Sequence, residues 1–111
     1  MTGYIYVLLL AGTILAALGQ VLFKIGATGR DTLFDFVNIW IIVGLISYVF
    51  STVFWIYSLS KAQLTLVYPF TALTFVFVYL VGVLVLGEAT SVKALIGVAS
   101  ILVGLFLIST A

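Results

Sequence analysis

Four apolar segments of about 20 residues each constrain the fold of this sequence more than any other feature. They occupy roughly positions 4–25, 37–59, 63–86 and 92–110, and helices of that length cross the roughly 30 Å hydrocarbon core of a bilayer. Only 6% of the residues are charged, whereas about 25% is usual in a soluble globular domain. We therefore predict an all-α integral membrane protein, one domain over 1–111 built as a bundle of four transmembrane helices.

The side chains that could carry chemistry are few, and this excludes several classes of function. The chain contains no cysteine, no histidine and only three carboxylates, Asp31, Asp35 and Glu88. Because these cannot form a metal cluster, an acid–base pair or a Ser-His-Asp array, we predict no metal, no cofactor and no enzyme. The net charge of +1 provides no basic patch, so we predict no nucleic-acid partner. The first apolar segment lacks a preceding basic region, and we expect it to be retained as a membrane helix.

The connections indicate how the segments are arranged. Those at 58–63 and 86–93 are short, so the helices that they join are expected to be antiparallel neighbours. The first connection is longer and polar, which is typical of a solvated loop, and Asp35 is a candidate cap for the second helix. Thr90 or Ser91 is expected to cap the fourth helix.

A polar stripe runs along the first segment at the three-to-four-residue spacing of one helix face: Thr13, Ala17, Gln20 and Lys24. Burying an ammonium group in hydrocarbon costs roughly 2.5–3.5 kcal/mol. Lys24 is near enough to the boundary to extend its amine to the headgroups, whereas Gln20 lies one turn deeper and favours a cavity.

Glu88, near the same membrane surface, is a candidate partner for Lys24. Without that pairing an anionic ligand would supply the counter-charge, and lysine suits phosphate. The alternative for Glu88 is an interfacial acid that complements the N-terminus of the fourth helix.

The third segment contains Pro69, which frees a backbone carbonyl one turn earlier and predicts a local bend. Tyr68 and Thr71 share a face there, which suits a ligand with a polar head and an apolar tail. Trp55 of the second segment could complete this wall, although the serines and threonines of that segment are expected to serve helix packing. The alternative interpretation is that Tyr68 is an interfacial anchor and Pro69 a simple kink.

Small residues on the fourth segment would let another helix approach closely, and they predict a dimer interface: Gly97, Ser100 and Gly104. The first segment repeats the pattern with Gly12, Ala16 and Gly19, a second candidate interface. Positive charges are almost balanced between the two sides of the membrane, so insertion direction is weakly specified. We expect an antiparallel homodimer, with a parallel homodimer, a heterodimer and a monomer as alternatives.

Over essentially its whole length the sequence resembles the four-helix branch of the drug/metabolite transporter superfamily. The resemblance rests on the order and spacing of four stretches: YIYVLLLAGTILAALGQVLFKIG, LTLVYPFTALTFVFV, LGE and ALIGVASILVGLFLI. One subgroup, the small multidrug resistance proteins, carries a membrane-embedded glutamate on helix one. Ala16 stands at that position here, so cation export in their manner lacks its carrier.

The sequence is more similar to the aminoarabinose-phosphoundecaprenol flippase subunits and related small EamA-like proteins. Three matches carry this resemblance: Gly19-Gln20 with Lys24, Val67-Tyr68-Pro69, and Glu88. The chain departs from the pattern at Val67, where a small residue is usual.

The resemblance implies a flippase for polyprenyl phosphate or a polyprenyl-phosphate-linked sugar in a bacterial inner membrane. Lys24 would meet the lipid phosphate, and the head group would bind among six residues: Lys24, Gln20, Tyr68, Thr71, Trp55 and Glu88. The implied partners are membrane lipid, an anionic lipid-linked substrate and either a second copy or a related small subunit. The alternatives are a small exporter of cations or amphipathic drugs, and an accessory membrane subunit of a glycosyltransferase or flippase.

Overall fold

The computed structural model describes residues 3–111, and four helical spans in that range are long and apolar enough to cross a membrane. The helices are α1 (Gly3–Ala27), α2 (Ile39–Lys61), α3 (Leu64–Val67), α4 (Phe70–Leu84) and α5 (Val92–Thr110). The predicted third segment comprises α3 and α4, and the first connection contains a short 3-10 helix, Leu33–Phe36. The prediction of an all-α, four-helix membrane protein is confirmed.

Close contact between α1 and α2 forms the tightest part of the fold, here called the α1–α2 seam. A Cβ atom added to Gly19 would lie 3.0 Å from the carbonyl oxygen of Gly44, and one added to Gly44 would lie 2.9 Å from the ring of Phe23. Glycine is therefore required for this approach of the two backbones. The small residues Gly12 and Gly19, predicted as a candidate interface between chains, are buried against α2 of the same chain.

Two serines of α2 reinforce the seam with hydrogen bonds across it. Ser47 Oγ donates to the carbonyl oxygen of Leu15, and Ser51 Oγ donates to that of Gly12, each at 2.7 Å. Lipid provides no hydrophobic driving force between helices, so such bonds and close packing hold membrane helices together. The expectation that serines of the second segment serve helix packing is met here.

The third span is interrupted where Pro69 predicted a bend. The N–H groups of Thr71 and Ala72 donate to the carbonyls of Tyr68 and Pro69, each at 2.9 Å. These bonds reach three residues back, not the four of an α-helix. Proline has no N–H, so the carbonyl of Thr65 also lacks its usual helical donor. The backbone at the interruption is therefore more open to other partners than a regular helix.

Buried apolar side chains concentrate at the end of the bundle where α2 connects to α3. The cluster consists of Ile5, Leu9, Val67 and Phe70, with Leu105 of α5 packed against it. By contrast, α5 has Val98 as its buried residue and packs chiefly on α4. The chain is a slab of 46 × 35 × 18 Å.

Polar side chains cap α2 and α5. Asn38 Oδ1 accepts from the N–H groups of Trp40 and Ile41 at 3.0 and 3.2 Å, so it caps α2. The prediction that Asp35 caps α2 is wrong, because its carboxylate accepts from the backbone of the 3-10 helix, three residues earlier. The prediction for α5 is confirmed at Ser91, whose Oγ accepts from Ala94 N at 3.1 Å.

Candidate functional site

A polar groove opens between α1, α2 and the interruption of the third span, with a volume of about 360 Å³. We call it the hydroxyl groove, because most of its wall consists of hydroxyl-bearing or aromatic polar side chains. It is lined by Gly12, Thr13, Ala16, Tyr48, Ser51, Thr52, Trp55, Tyr68, Thr71 and Thr74. Its α1 and α2 members lie near the middle of helices of 25 and 23 residues. The groove is thus at the depth of the hydrocarbon core, where polar groups are costly unless they serve packing or a ligand.

The hydroxyl hydrogens of four groove residues are already used inside the chain. They donate to backbone carbonyls at 2.7 to 2.9 Å from Thr13, Ser51, Thr52 and Thr71. A hydroxyl oxygen that donates its hydrogen still carries two lone pairs. These four side chains therefore present acceptors to the groove.

Donors come from aromatic side chains on the same wall. The ring centroids of Trp55 and Tyr68 are 6.4 Å apart at an interplanar angle of 74°, an edge-to-face contact that joins α2 to the bend. Tyr68 is 62% exposed and Tyr48 41% exposed, so their phenol groups are accessible. Every side chain that lines the groove is uncharged, which suits a polar, hydroxylated group better than an ion.

A second depression, here called the charged cleft, lies at the end of the bundle where the α1–α2 and α4–α5 connections are. Its volume is about 360 Å³, and it is lined by Lys24, Ile25, Thr28, Leu86 and Glu88. One wall is the end of α1, where Thr28 Oγ1 donates to the carbonyl of Lys24 at 2.6 Å. The other wall is the segment that follows α4. No salt bridge joins Lys24 to Glu88 in the part of the chain that the structure describes.

The structure divides the predicted site residues between these two depressions. Trp55, Tyr68 and Thr71 meet in the hydroxyl groove, beside Pro69, whereas Lys24 and Glu88 share the charged cleft. Gln20 lines neither depression. It lies on α1 between them, on the helix face that also carries Ala16 and Lys24. Eight residues separate Ala16 from Lys24 along α1, which corresponds to about 12 Å.

Sequence reasoning missed several lining or supporting residues, among them Thr74 and Gly82 as well as Ile25, Thr28 and Leu86 of the charged cleft. Thr74 follows Thr71 by three residues, so the helical period of hydroxyl groups could have identified it. The carbonyl of Gly82 accepts a hydrogen bond from the N–H of Glu88, and this bond spans a chain reversal. No local pattern indicates such a contact.

The predicted interface residues of α5 lie on an open face. Gly97 and Ser100 are exposed and Gly104 is half-buried. A Cβ atom added to Gly97 or Gly104 would meet nothing within 4 Å. Within the described residues, no part of the chain packs into the space beside these two glycines.

The four spans and the groove at membrane depth define a small multi-pass membrane protein with a polar groove between its helices. The chain is 34% identical to the probable 4-amino-4-deoxy-L-arabinose-phosphoundecaprenol flippase subunit ArnF of Proteus mirabilis, over 97% of this chain and 92% of the relative. It therefore belongs to the family of 4-amino-4-deoxy-L-arabinose-phosphoundecaprenol flippase subunits, which confirms the predicted resemblance.

Two further relatives belong to the same family. The probable subunit ArnE of Proteus mirabilis is 30% identical over 94% of this chain and 96% of its own length. The probable subunit ArnF of Photorhabdus laumondii is 31% identical over 98% of both chains. No model of a protein family and no solved structure matches the chain.

Proposed function

We propose that this chain is a subunit of a flippase that moves a polyprenyl-phosphate-linked sugar across a bacterial inner membrane. The observation that carries the proposal is the hydroxyl groove, a neutral polar surface at the depth of the hydrocarbon core. A sugar needs both hydrogen-bond donors and acceptors to replace its water, and the groove presents both. The names of the relatives support the same substrate class.

In this proposal the head group occupies the two depressions in succession, because a single sugar phosphate cannot span the roughly 12 Å of α1 between Ala16 and Lys24. Hydroxyl oxygens of Thr13, Ser51 and neighbouring residues accept hydrogen bonds from the sugar, and the phenol of Tyr68 donates to it. Lys24 binds the phosphate as a point charge at the charged cleft. Gln20 lies between the two positions on the same face of α1 and supplies an amide along the way. The isoprenoid chain stays in lipid beside the exposed Tyr68.

The neutral wall of the groove argues against export of cations or cationic drugs. Such a mechanism needs a carboxylate that exchanges protons for the cation, and the corresponding position is Ala16, which lines the groove. The groove supplies no acidic side chain to compete for a proton. A neutral wall also avoids repelling a substrate that carries a phosphate.

The proposal includes a second chain and no catalysis. We propose that the open face of α5 pairs two subunits through Gly97, Ser100 and Gly104. An antiparallel homodimer would create inverted symmetry from one sequence. A heterodimer with a related small subunit is the alternative, since the relatives are named as subunits. If the role of the chain were purely accessory, its partner would transport the substrate without the groove and cleft residues of this chain.

Binding of undecaprenyl phosphate to the purified chain in nanodiscs tests the role of Lys24. We expect Lys24→Gln to weaken binding about tenfold, as loss of a charge-assisted hydrogen bond does. Lys61→Gln removes the same charge at the opposite end of the bundle, in the last turn of α2, and should leave the affinity unchanged. A folded Lys24→Gln protein that binds as tightly as the unmodified chain would contradict the proposal.

Transport itself is measured in liposomes that contain the chain and a labelled undecaprenyl-phosphate-linked sugar. We expect inward and outward movement with the chain alone or with a related small subunit added. Movement that is the same with and without the chain, in the presence of a competent partner, would favour the accessory role.

A further inference from the structure

We propose that the charged cleft recognises a zwitterionic head group, with Lys24 binding a phosphodiester and Glu88 binding a primary ammonium group. Gly82 is the residue that positions the Glu88 carboxylate. This inference rests on the proposed function and specifies which charges of the lipid head the chain distinguishes. The observation behind it is that one cation, Lys24, and one carboxylate, Glu88, line the same cleft.

The backbone of Glu88 is hydrogen-bonded to α4, and its carboxylate lies against Gly82. Glu88 N–H donates to the carbonyl of Gly82 at 2.9 Å. The side chain then folds back so that Oε1 lies 2.8 Å from the point where a Cβ of residue 82 would be. The carboxylate of Glu88 thus occupies the space that a side chain at position 82 would need. Any other residue there would displace the acid.

The chain reversal that brings Glu88 back to α4 is itself constrained. Gly87 has φ of +72°, a conformation that side chains disfavour. Beyond the turn, the hydroxyl groups of Tyr79 and Thr90 are hydrogen-bonded to each other. Both sides of the reversal are therefore hydrogen-bonded to α4, which places the backbone of Glu88 beside Gly82.

Opposite charges on two walls of one cleft favour a ligand that carries both charges. A purely anionic head group would be attracted by Lys24 and repelled by Glu88. A purely cationic head group would be attracted by Glu88 and repelled by Lys24. The side chains of Ile25 and Leu86 line the same cleft and add apolar surface beside the two charges. A head group with a phosphodiester and an ammonium group satisfies both walls at once.

This chemistry has two sources in a bacterial membrane. An amino sugar linked through phosphate to a polyprenol carries a phosphodiester and a primary amine, as does phosphatidylethanolamine. A neutral sugar linked in the same way lacks the ammonium. A site that pairs a carboxylate with the ammonium group of its ligand discriminates against a ligand without that donor, so Glu88 would separate amino sugars from neutral ones.

The test measures the affinity of the full chain in phosphatidylglycerol nanodiscs for two short-chain prenyl phosphate probes. One carries 4-amino-4-deoxy-arabinose, and the other carries arabinose. We expect the amino probe to bind about tenfold more tightly, the size of one hydrogen bond to a charged group. Glu88→Gln should remove this preference, because it weakens the binding of the amino probe and relieves the repulsion of the arabinose probe, whose only charge is negative. Asp31→Asn, the same acid-to-amide change in the connection between α1 and α2, should retain the preference.

Gly82→Ala tests the positioning role. We expect it to reduce the preference for the amino probe about threefold, because the added methyl group displaces the carboxylate by a few tenths of an ångström. Gly3→Ala, where an added Cβ meets nothing within 4 Å, is the matched control and should have no effect. In the double variant Gly82→Ala with Glu88→Asp, the shorter acid leaves room for the methyl group and should restore part of the preference.

A second arm distinguishes the two sources by adding phosphatidylethanolamine to the nanodiscs. Competition with the amino probe in the unmodified chain, and not in Glu88→Gln, would assign the cleft to the bulk lipid as well. Absence of competition would assign it to the amino sugar. Either result supports recognition of the shared chemistry.

Failure of the inference is distinguishable from failure of the proposed function. Equal binding of both probes by the unmodified chain, or a preference that survives Glu88→Gln, overturns the inference while flipping persists. Binding of neither probe, together with no flipping, contradicts the proposed function. Gly82→Ala that matches Gly3→Ala in every measurement would remove the positioning role alone.

Discussion

Two regions of the molecule carry the same small residues and use them differently. In the α1–α2 seam, a Cβ on Gly19 would lie 3.0 Å from the backbone oxygen of Gly44. On α5, a Cβ on Gly97 or Gly104 would find nothing within 4 Å. Glycine is required for packing in the first region and leaves an unfilled face in the second.

The serines repeat this contrast. Ser51 of α2 is buried and donates across the seam to Gly12 of α1. Ser100 of α5 donates to Ile96, four residues back in its own helix, at 2.8 Å. A small-residue pattern therefore predicts that close approach is allowed, and it does not identify the helix that approaches. In this chain the seam is satisfied internally, whereas α5 retains its capacity for a second chain.

The largest expected effect comes from filling the seam. Gly44→Leu places an isobutyl group against the ring of Phe23 and the backbone of Gly19. We expect the free energy of unfolding to fall by about 3 kcal/mol, the upper part of the range for overpacked sites. Unfolding in mixed micelles, followed by circular dichroism as the SDS fraction rises, measures this change.

Gly97→Leu is the matched control, because it makes the same exchange where space is open. Its unfolding midpoint in monomeric micelles should differ little from that of the unmodified chain. Equal losses at the two positions would show that the contrast between the seam and α5 is not real.

The sequence was sufficient to predict the four spans, the bend at Pro69 and the Ser91 cap. Each of these depends on local chemistry: apolar length, a missing N–H and a hydroxyl before a helix. It was not sufficient to identify the partner of the first-segment glycines. That partner depends on how α1 and α2 cross, which is set by contacts between residues such as Gly19 and Gly44 that are distant along the chain.

The candidate site shows the same division. Helical spacing was enough to place Tyr68 with Thr71 on one face, and the fold adds Trp55 to them. The stripe of α1 was expected to contribute Gln20 and Lys24 to that wall. The structure instead places Lys24 in a separate cleft, because α1 is long enough to pass the groove and reach the membrane boundary. Axial position, as well as face, therefore decides which side chains meet.

An intermediate effect is expected when the open face of α5 is filled. Replacing Gly97 and Gly104 together with leucine should weaken the proposed association of subunits at least about tenfold, because the helices can no longer approach closely. Energy transfer between separately labelled chains in liposomes measures the association. Transfer that is unchanged in the double variant would place the interface elsewhere.

Orientation is a separate measurement on the same samples. For an antiparallel pair, C-terminal tags should be accessible from both sides of the membrane. If every C-terminus is labelled from one side, the antiparallel arrangement is wrong, whatever the double variant does to association.

The smallest expected effect compares the two serines. Ser51→Ala removes the hydrogen bond to Gly12 across the seam, and such bonds between membrane helices contribute about 0.6 kcal/mol on average. Ser100→Ala removes a bond within one helix turn, and the freed Ile96 carbonyl keeps its helical partner, so we expect a change near zero. Unfolding midpoints in the same micelles compare the two variants. If Ser100→Ala costs as much as Ser51→Ala, the hydroxyl of α5 already has a partner across a helix interface, and α5 would not be the open face of the chain.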